Sequence, residues 1–171
     1  TLTYECGNDI TADATFTIVD TTDPVLAGGS NGVAECMGSN PSSNAAYIAW
    51  RNSFGGVTAT DNCGTATMSY SEGSWTSTGC TDTITVTFTA TDECSRTTSK
   101  NQTFTISDTT NPTWTTVPSD STVECGPGNA AAFTAWLNSF SGSDNCGTAL
   151  VTNDSTGLSN LCGSTGTETV T

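Results

Sequence analysis

The clearest pattern in the chain is a strict alternation of apolar and polar positions over residues 83–91. The apolar positions are Ile84, Val86, Phe88 and Ala90, and a threonine follows each of them. Side chains of a strand point alternately to its two faces, so this segment would have one apolar face and one hydroxyl face. Shorter segments of the same kind lie at 15–18, 66–70 and 103–106. Because β-branched threonine also favours strands, the pattern predicts a mainly β protein.

Two further segments have helical spacing. Their apolar residues are Tyr47, Trp50 and Phe54 in one segment, and Phe133, Trp136, Leu137 and Phe140 in the other. This spacing predicts one short amphipathic helix in each segment. It also favours a core position for Trp50 and Trp136 over a role in stacking against sugars. Strands with one inserted helix predict a β-sandwich, which is an all-β fold class.

The chain also repeats itself after about 88 residues. Glu-Cys, Thr-Phe-Thr-Ile and Asp-Thr-Thr-Asp/Asn-Pro occur at 5–6, 15–18 and 20–24, and again at 93–94, 103–106 and 108–112. Asp-Asn-Cys-Gly occurs at 61–64 and 144–147. Tandem modules with three boundaries are therefore predicted. Residues 1–22 are the C-terminal strands of a preceding repeat, 23–110 a complete repeat, and 111–171 the N-terminal part of a following repeat. We call these the N-terminal segment, the first unit and the second unit.

The alignment places both chain ends within one predicted strand. Residues 1–6 match 89–94, the end of the long alternating segment, and 167–171 match its beginning. An unfinished strand exposes backbone groups that a strand from elsewhere can satisfy. We therefore expect the N-terminal segment of one copy to complete the second unit of another, head to tail. The alternative is completion by a following repeat in the same polypeptide.

The eight cysteines recur at matched positions, which suits disulfides in an oxidising compartment. If segment 66–70 runs antiparallel to the long strand, Cys63 should approach Cys94. The predicted pairs are Cys36–Cys80, Cys63–Cys94, Cys125–Cys162 and, between two copies, Cys146–Cys6. Zinc is disfavoured because the chain has no histidine and no Cys-x-x-Cys pair.

Charge limits the partners. The formal net charge is −14 with only three basic residues, which argues against nucleic acid and anionic lipid. No apolar run is long enough to span a bilayer, so membrane insertion is not expected. An extracellular or cell-surface location fits the cysteines and the acidic composition.

Carboxylates gather at the predicted unit boundaries: Asp20, Asp23, Asp61, Asp92, Glu93 and Asp108. They would either hold Ca²⁺ between modules or simply cap exposed turns, and no other cofactor is expected. An enzyme is disfavoured, because without histidine the usual base for a nucleophile is missing. Asp61 and Asp92 are expected to lie near one another, because they are close to Cys63 and Cys94. A glycosidase would need such an acid pair, but we favour the interpretation that they cap turns beside a disulfide.

Two surface roles follow from polar side chains. Asn101 and Asn153 begin Asn-x-Ser/Thr acceptor sequences, and Thr21 and Thr109 lie in Asp-Thr-Thr sequences that resemble bacterial O-glycosylation sites. Rows of threonine on one sheet face would bind glycan or ice if that face is flat and regular.

The motifs at 61–64, 86–94 and 108–112 resemble those of the hyalin-repeat (HYR) family of extracellular immunoglobulin-like modules. They are most similar to the cysteine-containing versions in giant surface adhesins of gliding and biofilm-forming bacteria. The resemblance implies an immunoglobulin-like sandwich and a role in adhesion or in a structural stalk, without catalysis. The prediction is a structural repeat module of an extracellular filament or adhesin stalk whose partners are other copies of itself. The alternative is an adhesin module that binds surface glycan or ice directly.

Overall fold

The computed structural model describes residues 1–3, 5–158 and 166–171, and this part of the chain is mainly β. The strands are β1 (Leu2–Thr3), β2 (Asp9–Ile10), β3 (Val25–Gly28), β4 (Gly32–Glu35), β5 (Val57–Thr60), β6 (Thr67–Glu72), β7 (Thr76–Ser77), β8 (Thr81–Thr91), β9 (Thr97–Ser107), β10 (Thr113–Thr116) and β11 (Ser141–Ser143). The helices are α1 (Ala45–Asn52) and α2 (Asn129–Leu137). The predicted β class and one short helix in each unit are confirmed.

The first unit is organised by one sheet with the strand order β4-β9-β8-β6, in which β7 also pairs with β8. β8 and β9 pair antiparallel over their whole length, from Thr81 opposite Ser107 to Thr91 opposite Thr97. β6 pairs antiparallel with β8, the arrangement assumed above for segment 66–70, whereas β4 runs parallel to β9. Three two-stranded ladders, β1-β2, β3-β5 and β10-β11, accompany this sheet.

The alternation along β8 produces the predicted burial. Ile84 is 2% exposed, and Val86, Phe88 and Ala90 are fully buried, while the threonines between them face outward. On β9, Phe104 and Ile106 are each 1% exposed. Full burial of such a side chain contributes about 1.5–3 kcal/mol. These two strands therefore supply much of the hydrophobic core.

Helix α1 covers this core with aromatic side chains. The Asn44 carboxamide accepts hydrogen bonds from the backbone N–H groups of Ala46 and Tyr47, which caps the helix as Asn commonly does. The Tyr47 ring lies 5.3 Å from that of Phe104. The Trp50 ring lies 5.4 Å from Phe88 and 5.2 Å from Phe104. Trp50 thus packs against the core, as its helical spacing predicts.

The second unit has the helix but not the large sheet. No side chain of α2 is buried, whereas Tyr47 of α1 is 1% exposed. The tryptophans are nevertheless anchored alike, because Trp50 Nε1 donates to the Ser30 carbonyl at 2.9 Å and Trp136 Nε1 donates to the Ser119 carbonyl at 2.8 Å. The two helices therefore make the same anchoring contact, although only α1 contributes a buried side chain.

The N-terminal segment differs from the prediction. Residues 15–18 were expected to form a strand, but they lie outside every strand of the described chain. Phe16 is 88% exposed and Ile18 is 79% exposed. The matching residues 103–106 are held in β9 by hydrogen bonds to β8 and β4 on either side. Residues 15–18 pair with no strand of the described chain, so the same sequence remains exposed to solvent there.

Candidate functional site

The junction between the two units is fixed by a disulfide that the sequence did not predict. Cys36, just after β4, bonds to Cys146, in the Asp-Asn-Cys-Gly turn of the second unit, with a Cα–Cα distance of 5.3 Å. The bond spans a sequence separation of 110 residues. It therefore joins successive units rather than bracing a single one.

The predicted pair Cys36–Cys80 is wrong because β9 lies between the two residues. The Cys36 N–H donates to the Ser107 carbonyl on one side, and the Asp108 N–H donates to the Cys80 carbonyl on the other. Two strand spacings separate them by about 9–10 Å. Disulfides need Cα atoms within about 7 Å.

The other predicted pairs also differ from the structure. Cys146 is bonded to Cys36, so the predicted link from Cys146 to Cys6 of another copy is wrong. Cys6, Cys63, Cys80 and Cys94 carry exposed thiols in the described part of the chain, and the bond Cys63–Cys94 is not formed. Desolvation, followed by the charges of Asp20 and Asp92, raises the pKa of Cys94 and so disfavours its thiolate. The pair Cys125–Cys162 lies outside the described residues.

A polar clamp reinforces the same junction around Glu35. Its carboxylate accepts hydrogen bonds from the Thr109 backbone N–H at 2.9 Å, the Thr109 hydroxyl at 2.6 Å and the Thr110 hydroxyl at 3.0 Å. From the second unit, the Asn145 carboxamide donates to the Cys36 carbonyl at 2.7 Å. Sequence reasoning missed Glu35 and Asn145. Their recurrence as Glu124 and Asn62 was the available signal.

Stability at low pH should depend on this clamp. Hydrogen bonds from the Thr109 side chain and backbone lower the pKa of Glu35 to about 2. A depressed carboxyl pKa stabilises the fold above the unfolded value, about 4.3, and this contribution is lost as pH falls to the folded value. We expect Glu35→Gln to lower Tm above pH 4.5 and to converge with wild type near pH 2. Thermal unfolding against pH measures this, with Glu124→Gln as the matched control. A difference between wild type and Glu35→Gln that does not shrink toward pH 2 would contradict it.

An open groove lies along α2 in the second unit. It has a volume of about 830 Å³ and combines helix side chains with residues 118–123 and 166–170. Its apolar lining includes Val123, Phe133, Trp136, Phe140, Leu158 and Val170. Val123 is 56% exposed and Leu158 is 44% exposed. The described chain thus leaves a sizeable apolar surface beside α2.

The first unit shows what covers the equivalent surface. There, Phe88 of β8 and Phe104 of β9 lie against Trp50. In the repeat, residues 167–171 match the start of β8, and Val170 of the groove wall matches Val86. The sequence Thr-Phe-Thr-Ile of β9 is repeated only at 15–18, in the exposed N-terminal segment. The exposed segment therefore repeats the sequence that packs against Trp50 in the first unit.

Three of the six predicted carboxylates converge. Asp20, Asp61 and Asp92 each place a carboxylate oxygen within 4.8 Å of the other two. The predicted proximity of Asp61 and Asp92 is confirmed. The remaining acids have other contacts. Asp23 forms a 2.7 Å ion pair with Arg96, Glu93 accepts from the Thr65 hydroxyl at 3.1 Å, and Asp108 accepts from the Thr110 N–H at 3.3 Å.

The four candidate glycosylation residues are all exposed. Asn101 faces outward on β9, where its carboxamide oxygen accepts from the Thr87 hydroxyl at 2.8 Å. Asn153 lies outside regular structure and accepts from the Ser155 N–H at 3.1 Å. Thr109 donates its hydroxyl to Glu35, so a glycan there would compete with the clamp. Thr21 lies in the extended N-terminal segment, where modification would disturb no strand.

The outer face of the sheet carries rows of hydroxyl groups. One row joins Ser69, Thr89 and Ser99 across β6, β8 and β9. Within it, the Thr89 and Ser99 hydroxyls lie 2.8 Å apart, so part of their hydrogen-bonding capacity is used between strands. The sheet is curled. The ice hypothesis requires a flat face, and the sheet in the described part of the chain is not flat.

Comparisons of this chain with protein-family models, with curated proteins and with solved structures find no match. Within the part of the chain that the structure describes, no helix is long and apolar enough to cross a membrane. The disulfide is compatible with an oxidising, extracellular setting.

Proposed function

We propose that this chain is a structural repeat module of an extracellular filament or adhesin stalk, assembled head to tail by strand completion. The observation that carries the proposal is that the same four-residue sequence is buried at one place in the chain and exposed at another. Thr-Phe-Thr-Ile is a buried part of β9 at 103–106 and is exposed at 15–18. A groove lined by the matching aromatic side chains lies open beside α2. Residues 15–18 of one copy would enter the groove of another.

The first unit supplies the expected register. There, Ile84 pairs with Phe104, and Asp82 pairs with Ile106. Transferred through the repeat, Phe16 would lie opposite Glu168, with its ring against Trp136, and Ile18 opposite Gly166. Glu168 stands where the first unit has Ile84, and one of its carboxylate oxygens is buried without a hydrogen-bond partner.

The energetics favour completion. The N-terminal segment exposes Leu2, Ile10, Phe16, Ile18 and Val19 by 68–88%. Such concentrated apolar exposure is typical of interaction surfaces. Burying Phe16 and Ile18 contributes about 1.5–3 kcal/mol each, and the paired backbone groups add further hydrogen bonds. The completed unit would be an immunoglobulin-like module, the arrangement that the HYR resemblance implies.

Phe16→Asp tests this function against a neighbouring control. We expect wild type to form filaments and Phe16→Asp to remain dispersed, because the new carboxylate would lose its hydration beside Trp136 and would face the like charge of Glu168. Thr17→Asp adds the same charge at a position that matches outward-facing Thr105, and should still assemble. Negative-stain microscopy and light scattering measure the outcome. Equal assembly by wild type and Phe16→Asp would contradict the proposal.

A peptide with the sequence of residues 11–20 tests whether the groove binds this strand, independently of whether the strand comes from another copy or from a following repeat. It should bind the Phe16→Asp chain and change Trp136 fluorescence, whereas the same peptide carrying Phe16→Asp should not. Peptide binding together with a wild-type chain that stays monomeric would assign the strand to a following repeat in one polypeptide. Failure of the wild-type peptide to bind would refute the groove itself.

The second candidate function is direct binding of surface glycan by the hydroxyl rows on β6, β8 and β9. Exposed Thr, Ser and Asn side chains in register offer both donors and acceptors. Glycan-array binding that is lost in Thr85→Val and Ser69→Ala, with assembly unchanged, would favour this alternative.

A further inference from the structure

We propose that Asp20, Asp61 and Asp92 form a Ca²⁺ site that ties the N-terminal segment to the first unit. All three residues belong to the same chain, so the site needs no second copy and does not rest on the proposed assembly. Their carboxylate oxygens lie within 4.8 Å of one another. Two oxygens bound to one Ca²⁺ at about 2.3–2.6 Å are separated by up to about 5 Å. The spacing therefore fits one shared ion.

The strongest indication of a ligand is the unsatisfied carboxylate of Asp92. This side chain is only 7% exposed. Its Oδ1 accepts the N–H groups of Cys94 and Arg96, both at 2.8 Å, at the turn between β8 and β9. Its Oδ2 is buried and has no hydrogen-bond partner. A buried carboxylate oxygen without a donor is costly unless a cation or a proton satisfies it.

Asp61 presents the same arrangement from the facing loop. Its Oδ1 accepts the Cys63 N–H at 2.9 Å, and its Oδ2 is also buried without a partner. Asp20 reaches the cluster from the N-terminal segment, with its Oδ1 accepting the Thr22 N–H at 3.0 Å. One oxygen of each carboxylate is thus held by backbone. The free oxygens of Asp61 and Asp92 remain for a ligand.

No side-chain cation of the protein neutralises this cluster. The whole sequence contains only Arg51, Arg96 and Lys100. Arg51 pairs with Glu72, Arg96 pairs with Asp23, and Lys100 donates to the Gly28 carbonyl. Three converging carboxylates without a counter-charge repel one another. A bound divalent cation removes that repulsion.

The chemistry of the three carboxylates indicates which metal ion the site would bind. Carboxylate oxygens are hard ligands, which favour Ca²⁺ or Mg²⁺ over zinc. Mg²⁺ requires near-octahedral geometry at about 2.0–2.1 Å and gives up its bound waters reluctantly, so it is held less often by a set of protein carboxylates alone. Ca²⁺ tolerates wider and less regular arrangements with water or carbonyl oxygens in the remaining positions. The all-carboxylate donor set therefore favours Ca²⁺.

The second unit provides a natural comparison. Asp108 and Asp144 match Asp20 and Asp61 in the repeat and line one small pocket. Their Oδ1 atoms accept the N–H groups of Thr110 at 3.3 Å and Cys146 at 2.8 Å. Asp20 and Asp61 accept backbone N–H groups in the same way. The position that matches Asp92 is Tyr4 in the alignment of 1–6 with 89–94. Because the third carboxylate is replaced, one ion per chain is expected.

Calcium titration of the full chain, after removal of divalent ions with a chelator, tests the site. We expect one Ca²⁺ per chain by isothermal titration calorimetry, with Kd in the range of about 10⁻⁴–10⁻³ M typical of extracellular modules. Asp20→Asn and Asp92→Asn should each weaken binding at least about tenfold, since each removes one of three charged ligands. Asn at position 92 keeps the Oδ1 acceptor that holds the turn. Asp20 lies on the exposed N-terminal segment, so its replacement leaves the core intact.

Asp144→Asn is the matched control and should leave the affinity unchanged. The same titrations with Mg²⁺ and Zn²⁺ should show weaker binding. Three results would overturn the proposal: no binding at 10-fold above the expected Kd, equal weakening by Asp144→Asn and Asp92→Asn, or tighter binding of Zn²⁺ than of Ca²⁺.

Discussion

Replacing Phe104 by alanine should destabilise the first unit by about 3–5 kcal/mol, the cost of removing a buried aromatic ring. The side chain is 1% exposed and lies 5.3 Å from Tyr47 and 5.2 Å from Trp50 between ring centroids. Backbone atoms of Gly32 also close over the ring, since a Cβ at that position would lie 2.1 Å from it. A cavity at this point cannot collapse easily, because strands on both sides of β9 fix its position.

Urea unfolding followed by tryptophan fluorescence measures the loss, since Trp50 reports on the same contacts. Thr105→Ala is the matched control, because Thr105 faces outward on the same strand and its loss should cost less than about 1 kcal/mol. Similar unfolding midpoints for the two variants would show that Phe104 does not hold the core. That result would also contradict the proposed packing of Phe16 in the groove of another copy, because this role is inferred from Phe104.

Replacing Cys146 by serine should lower the free energy of unfolding by on the order of 4–5 kcal/mol, because the disulfide closes a loop of about 110 residues. The second unit should also separate from the first. The clamp of Glu35 and Asn145 would remain, but the hydrogen bonds of Glu35 are exposed to solvent and cannot replace the covalent link. Limited proteolysis should then cut the connection between the units at 108–112.

Cys63→Ser is the control for this prediction. Cys63 matches Cys146 in the repeat but carries an exposed thiol. Its replacement should change stability by no more than about 0.5 kcal/mol. Reductant should convert wild type to the behaviour of Cys146→Ser and leave Cys146→Ser itself unchanged. A Cys146→Ser protein as stable as wild type would show that the junction does not depend on the bond.

The sequence predicts this fold well where the pattern is local. The alternation in 83–91 predicts that Phe88 and Ala90 lie inside, and the antiparallel pairing that was assumed for segment 66–70 is observed between β6 and β8. The parallel pairing of β4 with β9 has no local signal, because it joins residues about 70 positions apart. That pairing puts β9 between Cys36 and Cys80. The disulfide pairing therefore depends on a long-range contact between strands, and the spacing of the cysteines in the sequence could not predict it.

The candidate sites also divide into features that a local sequence pattern predicts and features that depend on long-range contacts. Asp61 and Asp92 could be placed together from sequence, because each precedes a cysteine at facing ends of paired strands. The contribution of Asp20 depends on the path of the exposed N-terminal segment, which no periodicity describes. The groove beside α2 could be inferred only from the repeat. Residues 15–18 differ from 103–106 in their neighbours, not in their sequence.

The disulfide between Cys36 and Cys146 also has a mechanical consequence. If the protein is pulled from positions before Cys36 and after Cys146, tension passes from one side of the bond directly to the other. The intervening chain, which contains α1 and strands β5 to β11, is then shielded from the force. At about 3.3–3.6 Å per residue, a separation of 110 residues corresponds to roughly 360–400 Å of contour length that stays folded under load. Reduction of a single bond would release this length and convert an inextensible element into a compliant one.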